Sequence, residues 1–188
     1  MKYPFIYICT QNKSKFDEYL ACFEFYKYTA SLFTRNDVDL TEPKSLSLEE
    51  VAINKATQAY SILKKPVLTD DTGLFLSRFP NFPGTYTKFL SKTLGIDYIY
   101  KLISESKSTL CFKIVLCFYN GLDYEIFNGT MKGTLNHNFT KSSATLSYND
   151  LFIPDGKTEP LSEIPLSERI KISHRSKAIK KFVDWLNI

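Results

Sequence analysis

Three groups of polar residues have the side chains that together bind a polyphosphate and a hard cation. The groups are Thr10, Asn12, Lys15 and Glu18, then Glu50, Lys55, Asp70 and Asp71, and finally Ser173, His174 and Arg175. Mg²⁺ takes one or two carboxylates together with phosphate oxygens and water, and Lys and Arg neutralise the remaining phosphate charge. The sequence therefore predicts a site of this kind, provided that the fold brings the three groups together.

Two adjacent carboxylates in the stretch VLTDDTGLF, residues 67–75, need a physical explanation. The apolar start of this stretch predicts a buried strand over residues 67–69 that ends at Asp70 and Asp71. Like charges at close range raise the free energy of ionising both groups. We therefore expect Mg²⁺ and solvent to lie over the two acids, and a solvated turn residue is the alternative interpretation of Asp70 taken alone.

The first group lies where a predicted strand leads into a helix. Residues 5–9 are a predicted buried strand, and apolar residues at helical spacing predict a helix that begins near Lys13. The turn between them carries Thr10 and Asn12, and Lys15 follows in the first turn of the helix. Backbone N–H groups at such a turn suit an anion, whereas an ordinary polar loop is the simpler interpretation.

The other two groups also lie at the ends of predicted elements. Ser47–Glu50 has the pattern of a capping box that opens a helix reaching Leu63, and a last helix is predicted from about Ser173 to Leu186. Further predictions are helices at 88–94 and 98–104, a β-hairpin of 110–119 and 123–135 with its turn at Asn120-Gly121, and loops at 80–84 and 136–150. This order predicts an α/β fold with a mixed sheet flanked by helices, rather than an all-parallel sheet.

Composition and charge are those of a globular protein with one domain. The chain has 188 residues, with 44% hydrophobic residues, 23% charged residues and a formal net charge of +4, so we treat residues 1–188 as a single domain. Residues 169–181 contain six Lys or Arg and no acid. A solvated helix face explains such a run and an anion site is the more specific interpretation, whereas nucleic-acid binding is disfavoured because few aromatic residues accompany the charges.

Four cysteines, Cys9, Cys22, Cys111 and Cys117, form no CxxC pair and have apolar neighbours. We therefore predict buried thiols in a reducing compartment. The first residues of the chain lack the pattern of a signal peptide, and no apolar run approaches the ~18 residues that a membrane span needs. Together these features predict a cytoplasmic protein with no membrane partner.

Five short motifs, in order, resemble those of the Ham1/inosine triphosphate pyrophosphatase family along nearly the whole chain. They are Thr-x-Asn-x-x-Lys-x-x-Glu at Thr10–Glu18, the acidic pair within Asp70–Leu74, Pro-Gly-x-Tyr at Pro83–Tyr86, Gly-x-x-x-Gly at Gly129–Gly133, and Ser173-His174-Arg175. Each motif alone is weak evidence, but five motifs at matching intervals are specific. The family hydrolyses deaminated purine nucleoside triphosphates.

The resemblance implies a two-lobed mixed sheet that holds the nucleotide in its cleft, a homodimer, and Mg²⁺-dependent cleavage between the α and β phosphates. By motif position, Asp71, Lys15 and Glu50 are catalytic; Glu50 and Asp71 hold Mg²⁺, and Asp71 also orients or deprotonates the attacking water. Substrate binding then falls to Thr10, Asn12, Lys15, Lys55, Tyr148, Asn149, Arg169, His174 and Arg175. The resemblance places His174 and Arg175 beside the purine base of the nucleotide.

The chain departs from the family pattern where the base should bind. The first motif has Gln11 in place of the usual glycine, and the purine-pocket pattern Phe-Gly-Tyr/Trp-Asp-Pro-x-Phe reads Leu-Ser-Tyr-Asn-Asp-Leu-Phe over residues 146–152. Leu146 replaces the stacking aromatic, Asn149 the acid and Asp150 the proline. We therefore predict relaxed or redirected base selectivity, unless Asp150 shifts by one residue and restores the acid.

Two further functions compete with this interpretation. A Maf-type pyrophosphatase for pyrimidine or modified nucleotides would have an N-terminal Ser-Pro-Arg motif, which the sequence lacks. A nucleotide-binding module without turnover is the other alternative. The intact Lys15, Glu50 and Asp71 argue against loss of catalysis.

Overall fold

The structure is a computed structural model that describes residues 3, 5–28, 33–104, 109–139 and 147–187, with the backbone alone at 33–36 and Pro80. Its strands are β1 (Ile6–Cys9), β2 (Phe33–Asn36), β3 (Val67–Leu76), β4 (Phe79–Gly84), β5 (Leu110–Tyr119), β6 (Tyr124–Leu135) and β7 (Phe152–Pro154). Its helices are α1 (Lys13–Phe25), α2 (Leu48–Leu63), α3 (Thr87–Leu94), α4 (Ile96–Ser104), α5 (Tyr148–Leu151), α6 (Leu166–Ile172) and α7 (His174–Leu186).

The described strands form one mixed sheet, which confirms the predicted fold class. Its order is β2-β1-β3-β5-β6-β7, and β4 pairs with the far end of β3. β1 pairs in parallel with β2 and β3, whereas every other pair is antiparallel. The predicted hairpin is confirmed as β5 and β6, and its turn is held by Asn120 Oδ1, which accepts the backbone N–H groups of Leu122 and Asp123.

Apolar side chains pack on both faces of the sheet. On one face α1 and α7 pack around Phe23, Phe118 and Phe182. On the other face α2 approaches the sheet closely through small residues that include Ala52 and Ala56. A third apolar cluster joins α4 and α5 to the far ends of β3, β5 and β6, so the fold has the two lobes that the resemblance implied.

Strand β3 is longer than predicted, and this changes the position of the two acids. It continues through Asp70 and Asp71 to Leu76 because β5 pairs with every one of its residues. The predicted loop at 80–84 is in fact β4, antiparallel to the end of β3. A Cβ atom on Gly73 would collide with the backbone carbonyl of Gly84, so glycine at this position lets the two strands approach.

Helix α2 begins at the predicted place with half of the predicted capping box. Ser47 Oγ accepts the backbone N–H of Glu50 at 3.3 Å. In a complete capping box the Glu50 carboxylate would accept the backbone N–H of Ser47. Here the backbone N–H of Ser47 donates to Ser45 Oγ instead, and the Ser45 hydroxyl donates to the Glu50 carboxylate at 2.5 Å. Glu50 is therefore engaged in local structure at the start of the helix.

The prediction of buried thiols is confirmed for three of the four cysteines and is wrong for Cys111. Cys9, Cys22 and Cys117 are buried free thiols, and Cys111 is a free thiol that is partly exposed. Burial raises the pKa of Cys9 and of Cys117 to about 12, which makes them poor nucleophiles. Of the helices within the described ranges, none is long and apolar enough to cross a membrane.

Candidate active site at the edge of β3

The candidate site lies at a gap along one edge of β3. β5 covers the other edge completely, whereas on this edge β1 pairs only with Val67 and Leu68, and β4 pairs only from Leu74 onward. Residues 69–73 thus have no described strand beside them here. Lys55 reaches into the gap and donates from Nζ to the backbone carbonyl of Asp70 at 2.7 Å.

Asp70 lies on the sheet face that carries α1 and α7, where it forms a buried ion pair. Lys15 Nζ donates to Asp70 Oδ2 at 2.7 Å, and the Thr72 hydroxyl donates to the same oxygen at 3.1 Å. Burial would raise the pKa of this carboxyl, but Lys15 and Lys55 outweigh burial and lower it to about 2. Asp70 is 3% exposed, so the expectation that solvent covers it is wrong, as is the solvated-turn alternative, and the two lysines offset its charge.

Asp71 points to the opposite face, toward α2, because successive residues of a strand alternate between faces. It is 8% exposed, and its nearest cation is Lys55, whose Nζ lies 3.9 Å from Oδ1. Oδ2 is buried and has no hydrogen-bond partner among the described residues. Burial raises the pKa of Asp71 to about 7 against the pull of Lys55, so this carboxyl gains or loses a proton near neutral pH.

A cavity of about 480 Å³ opens beside Asp71 on the α2 side. Its lining consists of Glu42, Pro43, Lys44, Val51, Asp71, Thr85, Tyr86, Lys88, Phe89 and Lys92. Glu42 Oε1 lies 3.4 Å from Lys55 Nζ and 3.9 Å from Lys88 Nζ. The structure therefore brings Glu42 next to the Lys55–Asp71 pair.

The predicted partner of Asp71, Glu50, does not line this cavity. Its exposed carboxylate is occupied by Ser45 Oγ, as described above. The acid that the fold brings to Asp71 is Glu42, in the segment that precedes α2. The sequence analysis did not identify Glu42 as a site residue because it lies in a polar, proline-containing stretch with no periodic pattern. The neighbouring Pro43 marks a loop and gives no indication of a role in binding.

A second cavity, of about 220 Å³, lies on the α7 side of the gap. It is lined by Asn12, Ser14, Lys15, Glu18, Thr72, Phe112, Asn149, Leu161, Arg169, Ser173, His174 and Arg175. It brings together Asn12, Lys15 and Glu18 of the first predicted group, the whole third group and Asn149. Phe112 was also missed, since an apolar residue in a strand gives no signal of a binding role.

His174 is a neutral, unpaired imidazole in the wall of this second cavity. It is buried, and burial lowers its pKa to about 3. Its ring stacks on that of Phe112 with centroids 5.2 Å apart, and neither ring nitrogen has a hydrogen-bond partner within the described part of the chain. A Cβ atom on Gly129 would collide with the His174 carbonyl, so Gly129 lets the start of α7 pack against β6.

Glu18 holds the two arginines of the second cavity. Arg175 donates from an η nitrogen to Glu18, and Arg169 lies 3.7 Å from the other carboxylate oxygen. Burial lowers the pKa of Arg175 to about 10, so it stays charged at neutral pH. The Nε atoms of both arginines are buried and lack partners among the described residues, which leaves donors available to a ligand.

The basic run at residues 169–181 contributes to two different surfaces, the wall of the second cavity and the exposed side of α6 and α7. His174, Arg169 and Arg175 face the second cavity. The lysines of the run are engaged elsewhere: Lys171 with Glu168, Lys180 with Asp184, Lys177 with the carbonyl of Thr130 and Lys181 with that of Asn128. The solvated-face and anion-site interpretations each describe part of the run.

At the β1–α1 turn, the predicted residues have structural contacts of their own. Asn12 caps α1, with Oδ1 accepting the backbone N–H of Lys15 at 3.0 Å. Thr10 Oγ1 accepts the backbone N–H of Asn12 at 3.2 Å. Of these two, Asn12 lines the second cavity and Thr10 does not.

The residues at 146–152, where the chain departs from the purine-pocket pattern, do not all face the second cavity. Asn149 lines the second cavity, whereas Tyr148 is buried in the apolar cluster that joins α4 and α5 to the sheet. Asp150 accepts both the backbone N–H and the hydroxyl of Ser147 in a capping box at α5, so its carboxylate is not available to replace the missing acid. Leu146 lies outside the described residues.

The chain is similar in sequence to known proteins of one family. The model of the Ham1 family matches residues 6–185. A dITP/XTP pyrophosphatase of Hyperthermus butylicus is 31% identical over 182 residues, covering 96% of this chain and 94% of that protein. An inosine triphosphate pyrophosphatase of Scheffersomyces stipitis is 33% identical over 153 residues, covering 79% and 77%.

The fold is shared as well. The structure of a HAM1 protein from Coxiella burnetii has a TM-score of 0.80 to this chain at 20% identity, and the match covers 97% of this chain and 98% of that one. The family model spans nearly all of the sequence, and the relatives match most of it. The chain belongs to the Ham1 family.

Proposed function

We propose that this protein hydrolyses deaminated purine nucleoside triphosphates, such as ITP, dITP and XTP, to the nucleoside monophosphate and pyrophosphate. The observation that carries the proposal is the pair of cavities on the two sides of the β3 gap. The second cavity has neutral His174, buried Arg175 and partly exposed Arg169 in its wall, and the cavity on the α2 side has an Asp71 carboxylate oxygen with no hydrogen-bond partner among the described residues. A nucleotide that passes through the gap has its base in the second cavity and its phosphates beside Asp71.

The names of the relatives support the same substrate class, since they are dITP/XTP and inosine triphosphate pyrophosphatases. The second cavity agrees with 6-oxopurines. Buried donors on Arg169 and Arg175 need acceptors, and an oxo group is an acceptor where the amino group of adenine is a donor. Membership of the Ham1 family removes support from the Maf-type alternative.

Mg²⁺ is the cofactor that we propose, held by Asp71 and Glu42. A buried carboxylate oxygen without a partner is costly, and a cation at Asp71 Oδ2 would remove that cost. Among the described residues no three His, Cys, Asp or Glu side chains cluster as a ready metal site, and two carboxylates are what Mg²⁺ uses when phosphates complete its shell. Bound there, the ion would polarise the phosphoryl group and offset charge on the leaving pyrophosphate.

The remaining steps belong to side chains of this chain. Asp71 orients a water molecule toward the α-phosphorus and accepts its proton, a role suited to a carboxylate that faces the cavity beside the gap. Lys15 and Lys55 stabilise the charge on the phosphates, and Asp70 fixes Lys15 in position through the 2.7 Å ion pair. Water attacks the α-phosphorus, the α–β anhydride bond breaks, and pyrophosphate leaves.

Base selectivity is proposed to be relaxed. Asn149 lines the second cavity where the family pattern has an acid, and an amide both donates and accepts hydrogen bonds whereas a carboxylate accepts only. A site that hydrogen-bonds one group can discriminate by about 10⁴-fold, and a site without such a partner discriminates far less. The measurement is kcat/KM for ITP, XTP, GTP, ATP and pyrimidine triphosphates. A preference of about 100-fold or more for ITP and XTP would contradict the proposal.

The central experiment follows the γ-phosphate. ITP labelled at this position is incubated with the enzyme and Mg²⁺, and the labelled product is separated. Labelled pyrophosphate is expected, because the α–β bond is cut. Labelled orthophosphate would exclude this cleavage, and binding of ITP without any turnover would favour the non-catalytic alternative.

We further propose that the protein acts in the cytoplasm as a homodimer. The family resemblance suggests the dimer, and exposed apolar side chains on α3 and α4, namely Phe89, Leu94, Tyr98 and Leu102, offer a surface for it. Sedimentation velocity of the wild type and of Tyr98→Lys tests the surface. A monomeric wild type would contradict the proposal.

A further inference from the structure

The cavity beside Asp71 contains lysines that the mechanism above does not use. Lys44, Lys88 and Lys92 all line it. Lys88 lies 3.9 Å from Glu42, whereas Lys44 and Lys92 are exposed and form no ion pair within the described ranges. Two exposed lysines with no ion-pair partner among the described residues therefore line the cavity that holds the buried Asp71 and can bind an anion there.

Charge balance in the gap shows why the reaction would need them. The groups nearest the scissile bond are Asp70, Asp71 and Glu42, against Lys15 and Lys55. With all of them ionised, three carboxylates and two lysines leave one net negative charge. A polyphosphate is strongly anionic, so this inner shell, even with a dication, has little positive charge left for the outer phosphates.

The direction of the substrate places those outer phosphates at the lysines. If the base lies near His174 and the α-phosphate lies at the gap, the chain of phosphates can continue only toward the α2 face, since Asp71 points there. The cavity on that face, of about 480 Å³, is where the remaining phosphates must go. Lys44, on the loop before α2, and Lys92, on α3, line the same cavity as Asp71 and Glu42.

From this arrangement we infer that Lys44 and Lys92 form the subsite for the terminal phosphate of the substrate and for the departing pyrophosphate. The inference rests on the proposed function. These lysines bind the leaving group and are not placed at the reacting atoms. They therefore act on substrate capture and on pyrophosphate release, and have little effect on the nucleoside monophosphate.

The test uses the double variant Lys44→Gln/Lys92→Gln, with product inhibition of ITP hydrolysis at saturating Mg²⁺. Charge-assisted hydrogen bonds are the stronger ones, so KM for ITP and the inhibition constant of pyrophosphate should each rise about 10-fold. The inhibition constant of IMP should change less than about twofold. The matched control, Lys65→Gln/Lys101→Gln, removes the same charge from residues outside the cavity lining and should leave all three constants unchanged.

The outcomes separate this inference from the function on which it rests. Equal changes for pyrophosphate and IMP, an unchanged KM for ITP, or an equal effect in the control variant would overturn the subsite. Thermal melting of the double variant shows whether it is folded. The variant Lys44→Gln/Lys92→Arg keeps the charge at position 92, so pyrophosphate should inhibit it more strongly than it inhibits Lys44→Gln/Lys92→Gln. If the wild type releases no pyrophosphate from any triphosphate, the proposed function itself fails.

Discussion

Replacement of Glu42 by Gln separates the two candidate metal ligands. The change keeps the shape of the side chain and removes one charge from the cavity that holds Asp71. A carboxylate and a dication about 4 Å apart interact by about 8 kcal/mol at an effective dielectric constant near 20 and by about 2 kcal/mol in bulk water. Because Glu42 is 45% exposed, solvent screening reduces this to about 2–3 kcal/mol, which is a loss in Mg²⁺ affinity on the order of 10²-fold.

Glu50→Gln is the contrasting variant, because its carboxylate accepts from Ser45 Oγ and does not line the cavity. It should lose about 0.3–1 kcal/mol of stability through the missing charge at the start of α2, with little change in metal affinity. The assay is pyrophosphate release against MgCl₂ concentration, with Mn²⁺ binding followed directly by electron paramagnetic resonance. If Glu50→Gln needs as much added metal as Glu42→Gln, the assignment of the second ligand from the structure is wrong.

Three other expectations follow from the same contacts. Asp71→Asn removes both a metal ligand and the proton acceptor, so kcat for ITP should fall on the order of 10²-fold or more; near-normal turnover would refute the role. Lys15→Met leaves the buried Asp70 charge without its 2.7 Å partner and should cost about 3 kcal/mol in urea unfolding, part of which Lys15→Met/Asp70→Asn should recover; a double variant no more stable than the single one would contradict the ion-pair argument. The pKa of His174 is lowered from 6.5 to about 3, so the unfolded chain binds a proton that the folded chain does not, and stability present above pH 6.5 is lost on acidification. Asp71, whose pKa is raised to about 7, changes stability in the opposite direction over the same pH range. The contribution of His174 is therefore measured as the difference in unfolding free energy between the wild type and His174→Asn, which should fall by about 2 kcal/mol between pH 7 and 5, whereas the difference between the wild type and His137→Asn, where the exposed histidine is replaced, should stay constant; a pH-independent difference for His174→Asn would exclude this cause.

Local sequence patterns were sufficient for most of the helices and for the hairpin. The starts of α1, α2 and α7 follow from their capping residues and apolar spacing, which act over a few neighbouring residues. The turn at Asn120 is equally local, since its own side chain holds the next backbone groups. The order of the five motifs also indicated the family, which the match over residues 6–185 confirms.

Tertiary pairing decided where the acids lie. The strand was predicted to end at residue 69 because charged residues are unfavourable in a buried strand, yet β5 pairs with β3 through to Leu76. Alternation along that longer strand sends Asp70 to Lys15 on one face and Asp71 to the cavity on the other. Two adjacent charges are tolerated because they are separated by the sheet and face different partners.

The sequence by itself determined the residue types of the site, since a Lys, an Asp pair and a Ser-His-Arg triplet can be found in a string of letters. Which carboxylate joins Asp71 was decided only by the fold, which brings Glu42 and not Glu50 to the cavity. The gap between β1 and β4 likewise exists only in three dimensions, because it is produced by two strands that cover different parts of one edge of β3. Long-range contacts of this kind depend on how elements pack, and the order of residues within one element does not specify them.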